Sequence, residues 1–178
     1  MLWRVVRLIA GLVVGLALWM SFSDVWNAGL AAVAHPLFKL DRRIAESDLV
    51  AVGHTIVVQP TSTELPMATL PASELTYNVI LVVALFASNR APFSDRNMKA
   101  FAITLLVVLL LQPIGVLISA ESTYANQQGA WSEAHYGNAE SWIWLHAELF
   151  YRLIGMFGVV FGAWWVTADL SASPRPQK

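Results

Sequence analysis

The chain has 178 residues, of which 57% are hydrophobic and 13% charged, and its mean hydropathy is +0.56. A soluble domain carries about a quarter charged residues, so this composition belongs in a bilayer. A formal net charge of −1 offers no basic footprint for nucleic acid, and the absence of cysteine excludes disulfides, thiolate nucleophiles and zinc–thiolate centres.

A helix needs roughly 20 residues to cross the hydrocarbon core. Four apolar stretches predict an all-α membrane protein, with four transmembrane helices and a small extracytoplasmic segment containing a short β-ribbon. The first helix takes residues 1–22, apolar from Trp3 to Phe22 except for Arg4 and Arg7. The extracytoplasmic segment, 23–74, opens with an alanine-rich helical continuation from Val25 to Arg43, solvated at its end by Lys39, Asp41, Arg42 and Arg43. Leu49 to Val52 and Thr55 to Val58 then flank Gly53-His54, a Gly-X pair suited to a type II′ turn. This reads as a two-stranded ribbon, with one continuous extended strand as the alternative. Pro60, Pro66 and Pro71 make the remainder irregular or extended.

Residues 75–119 form a transmembrane hairpin of helices two and three: a short apolar stretch from Leu75 to Ser88, then a longer one from Lys99 to Ser119. An extracytoplasmic loop, 120–141, mixes amides with aromatic and imidazole rings, among them Gln127, Trp131, His135 and Tyr136. It suits either a solvated loop with interfacial anchors or a sugar- or peptide-binding loop. Helix four spans 142–167, and a tail occupies 168–178.

Orientation follows the placement of Lys and Arg in short segments. Arg4 and Arg7, then Arg90, Arg96 and Lys99, then Arg175 and Lys178, assign both termini and the loop after helix two to the cytoplasm. The loop 120–141 holds Glu121, Glu133 and Glu140 and no basic residue, as expected of a translocated segment. Trp19 and Trp26, Trp142 and Trp144, and Trp164 and Trp165 mark aromatic belts. The expected location is a bacterial inner membrane. Arg4, Arg7 and the A-x-A tripeptide Ala32-Val33-Ala34 also fit a signal peptide, but the tripeptide lies about ten residues past the apolar core, which favours an uncleaved anchor.

Ionisable groups inside a span cost a few kcal/mol each, so Glu148 and Arg152 require an explanation. Their i, i+4 spacing allows an ion pair, and a boundary near Trp142 places them roughly 9 and 15 Å deep. Gln112 falls roughly 10 Å deep on helix three. With Tyr77 and Asn78 at the start of helix two and His146 on helix four, these residues predict one polar intramembrane pocket. It is either a neutralising cluster that fixes helix packing or a site in which Arg152 anchors an anion and His146 or Glu148 moves a proton. Gly11 and Gly15, and Gly158 and Gly162, form two GxxxG motifs that predict a contact between helices one and four, with a homodimer through either face as the competing use. His35, His54, His135 and His146 show no metal-ligand spacing, and no nucleophile motif or P-loop occurs; no catalytic residue, metal or cofactor is expected.

The segment Leu75-Thr76-Tyr77-Asn78-Val79-Ile80-Leu81-Val82-Val83-Ala84-Leu85-Phe86-Ala87-Ser88, the short basic loop after it, and the run ending Leu111-Gln112-Pro113-Ile114-Gly115-Val116 resemble the small membrane proteins associated with bacterial exosortases, in particular the exosortase H-associated group. The resemblance lies in an N-terminal anchor, the size of the outer segment, a tyrosine opening span two and a Pro-Gly end to span three. It implies a non-enzymatic accessory role in protein sorting, with the lipid bilayer and a membrane protein, an exosortase, as partners. An exosortase resembles cysteine enzymes, and this chain has no cysteine.

Overall fold

The computed structural model describes residues 2–170, so the basic residues Arg175 and Lys178 of the tail lie outside the described residues. The chain is mostly helical, with a small three-stranded sheet and three helices long and apolar enough to cross a membrane: Leu2–Phe38, Asp95–Asn126 and Asn138–Thr167. A further apolar stretch, Ala72–Ala87, is shorter; its 16 residues reach about 24 Å, below the roughly 30 Å of hydrocarbon. The elements in order are α1 (Leu2–Phe38), β1 (Ser47–Val52), β2 (Thr55–Pro60), β3 (Ala68–Leu70), α2 (Ala72–Thr76), α3 (Asn78–Ala87), α4 (Asp95–Asn126), α5 (Ala130–His135), α6 (Asn138–Phe150), a π-helical turn (Tyr151–Gly155) and α7 (Met156–Leu170).

The chain divides into two units. The first combines residues 1–21, 77–110 and 157–178. Its described part is helical apart from the loop after α3, and its apolar core holds Val82, Leu85, Phe86, Ala100, Val108 and Val160, with Asn78, Thr104 and Thr167 as buried polar residues. Phe86 and Phe101 meet edge to face at 5.5 Å, while Ile9, Val13, Leu110 and Trp165 point outward. Large apolar side chains turned outward in this way are stable against lipid and costly in water.

Two glycines set the packing here. A Cβ on Gly11 would stand 2.7 Å from the Ala87 Cβ and 2.8 Å from the Ala84 Cα, and one on Gly15 would stand 2.9 Å from the Ile80 carbonyl oxygen. Glycine therefore lets α1 and α3 approach backbone to backbone, the general use of the GxxxG pattern. The partner is α3 and not the last helix: Gly158 and Gly162 have nothing within 4 Å of an added Cβ. The expected meeting of the two GxxxG motifs is thus corrected.

The second unit combines residues 22–76 and 111–156. Phe38, Ile44, Ile56, Val58, Leu70, Leu75, Val116, Ala120 and Tyr124 are among its core residues. The strands show why the core forms: along β2, Ile56 and Val58 are buried while their neighbours are less so, and on β3 Ala68 and Leu70 are buried while Thr69 is exposed. This is the period of two that turns one sheet face inward. Pairing is antiparallel throughout, Val50 opposite Val57 and Ile56 opposite Leu70, in the order β1-β2-β3.

Gly53 has φ +56° in the two-residue turn Gly53-His54, and no non-glycine residue described has a positive φ. That sign pattern matches the expected type II′ turn and excludes type I′, which needs both central residues positive. The remainder of this segment, expected to be irregular or extended, includes a third strand. Pro66 and Pro71 flank only four residues, of which Ala68 to Leu70 become a strand by pairing with β2. Asn27 of α1 donates to the Gly53 carbonyl (3.0 Å), and the Tyr124 hydroxyl of α4 donates to the Pro66 carbonyl (3.0 Å). The sheet is therefore tied to helices, which supplies the support an isolated hairpin lacks.

Candidate functional site

Two polar clusters lie in the second unit. The first begins with an irregularity in the helix. At Tyr151–Gly155 the backbone widens to a π-helical turn, with the Met156 amide donating to the Tyr151 carbonyl. The Tyr151 ring lies directly on Gly115 of α4, where any side chain would collide with it. Arg152 sits in this turn, and π turns often occur at functional positions.

Arg152 faces two acids. Its Nη2 lies 2.6 Å from Glu148 Oε1, and its Nη1 pairs with Glu74 Oε2. Ser119 of α4 completes the group, donating from Oγ to Glu148 Oε1 at 3.0 Å. Glu148 is 9% exposed, and burying one acid is tolerable here because a guanidinium and a hydroxyl both meet it. The expected ion pair is therefore present, and it is extended by Glu74 and Ser119.

The expected pocket is only partly assembled. Gln112 does not join the pair; its Oε1 accepts a hydrogen bond from the Trp26 indole nitrogen at 2.9 Å. His146 is exposed, its ring stacked on Trp142 with centroids 3.9 Å apart and its Nδ1 2.8 Å from the Trp142 carbonyl. Two positions from Glu148 on a helix is the wrong spacing for a shared face, so no imidazole stands beside the acid. Tyr77 and Asn78 belong to the first unit, where Tyr77 packs on Phe157 (6.0 Å) and Asn78 is buried. On α4, Glu148 meets Ser119 and not Gln112, seven residues earlier, with which it was expected to share a level.

The second cluster centres on Arg43, and sequence reasoning missed it. The Arg43 amide donates to Asp41 Oδ1 (2.9 Å), its Nη1 donates to Glu140 Oε1 (2.7 Å), and its Cζ stands 4.3 Å over the Tyr136 ring. Tyr136 donates from its hydroxyl to Glu121 Oε2 at 2.8 Å. Arg43 Nη2 is 3.9 Å from the same oxygen, too far for a hydrogen bond. Glu121 is 1% exposed, and its Oε1 has no hydrogen-bond donor.

These environments separate the acids. Burial opposes the ionised form of Asp41, but hydrogen bonds from the Arg43 amide and side chain outweigh it and hold the carboxyl below its ordinary value. Glu121, two residues beyond the apolar run, is pushed up to about 7, first by burial and then by the neighbouring Asp41 charge, despite the Tyr136 hydrogen bond. Burial and the Glu121 charge push the hydroxyls of Tyr124 and Tyr136 upward, so both stay protonated donors.

Beside this cluster a cleft of about 240 Å³ is lined by Arg42, Glu46, Ser62, Glu64, Trp131 and His135, with the last two rings stacked at 4.3 Å. The sequence did hold one signal for the first cluster: Gln112, Ser119 and Thr123 are spaced by seven and four, a buried polar stripe on an apolar helix. No comparable periodicity links Arg43 to Glu121 and Tyr136, which come together only through tertiary structure. Among the described residues no group of three His, Asp or Glu side chains is arranged to hold a metal ion.

By length and composition of its helices this is a membrane protein, and it carries a second unit with its own core and two internally paired charge clusters. No protein-family profile, no curated protein and no solved structure matches the chain.

Proposed function

We propose that the chain is a non-enzymatic accessory subunit of a bacterial inner-membrane assembly, placed beside an exosortase-type protein-sorting enzyme. In this reading Ala72–Ala87 and the three longer helices make four crossings, both termini are cytoplasmic, and residues 23–74 and 120–141 face the outer compartment. The observation that supports it is a folded sheet-and-helix unit in which two arginines are each committed to neighbouring acids. Arg152 is engaged by Glu74 and Glu148, and Arg43 by Asp41 and Glu140. Such pairing fixes surfaces and loops, as a docking subunit requires, and it leaves the Glu148–Arg152 pair without an imidazole for proton transfer.

Two experiments test the reading. Co-purification of the tagged full-length chain in mild detergent is expected to retain the exosortase-type enzyme of the same cell. Recovery of the chain without that enzyme, together with normal protein sorting after its deletion, overturns the role. For the topology, an impermeant thiol reagent applied to cells is expected to label Glu133→Cys and spare Arg96→Cys. The opposite pattern inverts the map.

A further inference from the structure

In the first unit, α1, α3 and α4 leave an apolar groove of about 380 Å³, lined among others by Val14, Leu18, Phe86, Phe93 and Phe101, with Arg7 at one end. A second cavity, of about 360 Å³, is lined by Trp3, Arg4, Arg7 and Arg90. Arg7 borders both. Its Nη1 donates to the carbonyls of Asn89 (3.0 Å) and Arg90 (3.1 Å), which ties the loop after α3 to α1 and brings Arg90 to the side of Arg4.

Three arginines thus line one cavity, and among the described residues no carboxylate lines it with them. Arg4 and Arg90 make no ion pair among the described residues, and no acidic side chain lines either cavity. At the other end the groove is apolar, and Phe93 beside it is 88% exposed. A soluble anion would answer the arginines and leave the groove empty. An apolar helix would fill the groove and leave the arginines uncompensated. A phospholipid carries both halves, a phosphate and an acyl chain, in one molecule, and Arg7 borders both cavities.

We propose that this composite cavity binds one anionic glycerophospholipid, with its headgroup phosphates against Arg4, Arg7 and Arg90 and one acyl chain along the groove between α1, α3 and α4. The guanidinium fork suits a phosphate, and basic pockets between membrane helices are suited to anionic headgroups. The inference goes beyond the accessory role and does not depend on it.

Native mass spectrometry of the delipidated full-length protein in a zwitterionic detergent, titrated with phosphatidylglycerol or phosphatidylcholine of identical acyl chains, tests the site. A preference for phosphatidylglycerol is expected. Each arginine near an anionic headgroup contributes roughly fivefold, so Arg4→Gln with Arg90→Gln should reduce that preference about 25-fold. Arg7 stays in place in this variant to hold the loop. Arg4→Lys with Arg90→Lys should retain most of the preference, and Val14→Trp, which fills the groove, should weaken binding of both lipids. A wild-type protein that does not distinguish the headgroups overturns the proposal. So does a loss below about tenfold in the double glutamine variant, judged against the same per-arginine effect. Phosphatidylglycerol binding that is unaffected by Val14→Trp removes the acyl groove and with it the assignment of a phospholipid.

Discussion

Replacing Glu121 by Gln should make the protein more stable at pH 8 and leave it nearly unchanged at pH 5. The carboxyl is 1% exposed, receives one hydrogen bond from Tyr136 and stands 3.9 Å from a guanidinium already engaged by Asp41 and Glu140. Its charge is therefore poorly compensated, and its folded-state value is about 7 against an ordinary 4.5. Between those two values the folded protein keeps a proton that the unfolded chain has released, so stability falls as pH rises through the interval and levels off above it. A displacement of this size corresponds to about 3 kcal/mol. Gln keeps an oxygen for the Tyr136 hydroxyl, offers an amide toward Asp41 and stays neutral at every pH. For a chain of this length the difference is roughly 6–12 °C in Tm at pH 8. Thermal unfolding in detergent at pH 5 and pH 8, wild type against variant, reads it directly, since titration of every other group cancels in the comparison. A difference that does not change with pH, or a variant less stable than wild type at pH 8, would refute the reasoning.

The remaining predictions concern packing and pairing, and the same unfolding assay measures them. Gly11→Ala should cost about 1–3 kcal/mol, because its Cβ would press on the α3 backbone, while Gly158→Ala should fall within about 0.5 kcal/mol of wild type; equal effects would mean that the α1–α3 contact is misassigned. Arg152→Gln should cost about 1–2 kcal/mol by leaving Glu74 and Glu148 facing each other without a cation, and adding Glu148→Gln should recover part of the loss; strict additivity would deny the pair. Gly53→Ala should cost about 1 kcal/mol through its positive φ, and no cost would mean that the turn readily adopts another form.

The parts of the fold legible in the sequence were those that repeat locally. Apolar runs located the three long helices, and Gly53-His54 between β-branched segments located the hairpin with its turn. What escaped depended on partners distant in sequence. Ala68 to Leu70 lies between two prolines and becomes a strand only because Ile56 and Val58 stand opposite Leu70 and Ala68. The GxxxG pattern announced a close approach at Gly11 without naming α3 as the partner, since small residues such as Ala84 and Ala87 accept a glycine as readily as another glycine does. The i, i+4 rule found Glu148–Arg152, but Glu74 comes from another element and carries no mark of that role, and Ser119 is marked only as part of a polar stripe on its helix.

The arginines sort by what surrounds them, and the sorting separates two physical roles for one side chain. Arg43 and Arg152 each have acids on both sides, and their charges are absorbed within the protein. Arg4 and Arg90 have none among the described residues, and Arg7 places its bonds on two backbone carbonyls rather than on a carboxylate. A charge absorbed internally holds elements together and fails by destabilisation when its partner is removed. A charge left without a counterion beside an apolar groove contributes nothing to folding in neutral surroundings, and it gains energy only when an anion arrives from outside the chain. The two groups should therefore respond oppositely to their surroundings. Loss of Arg152 is felt in any detergent, whereas loss of Arg4 and Arg90 is felt only where anionic lipid is present.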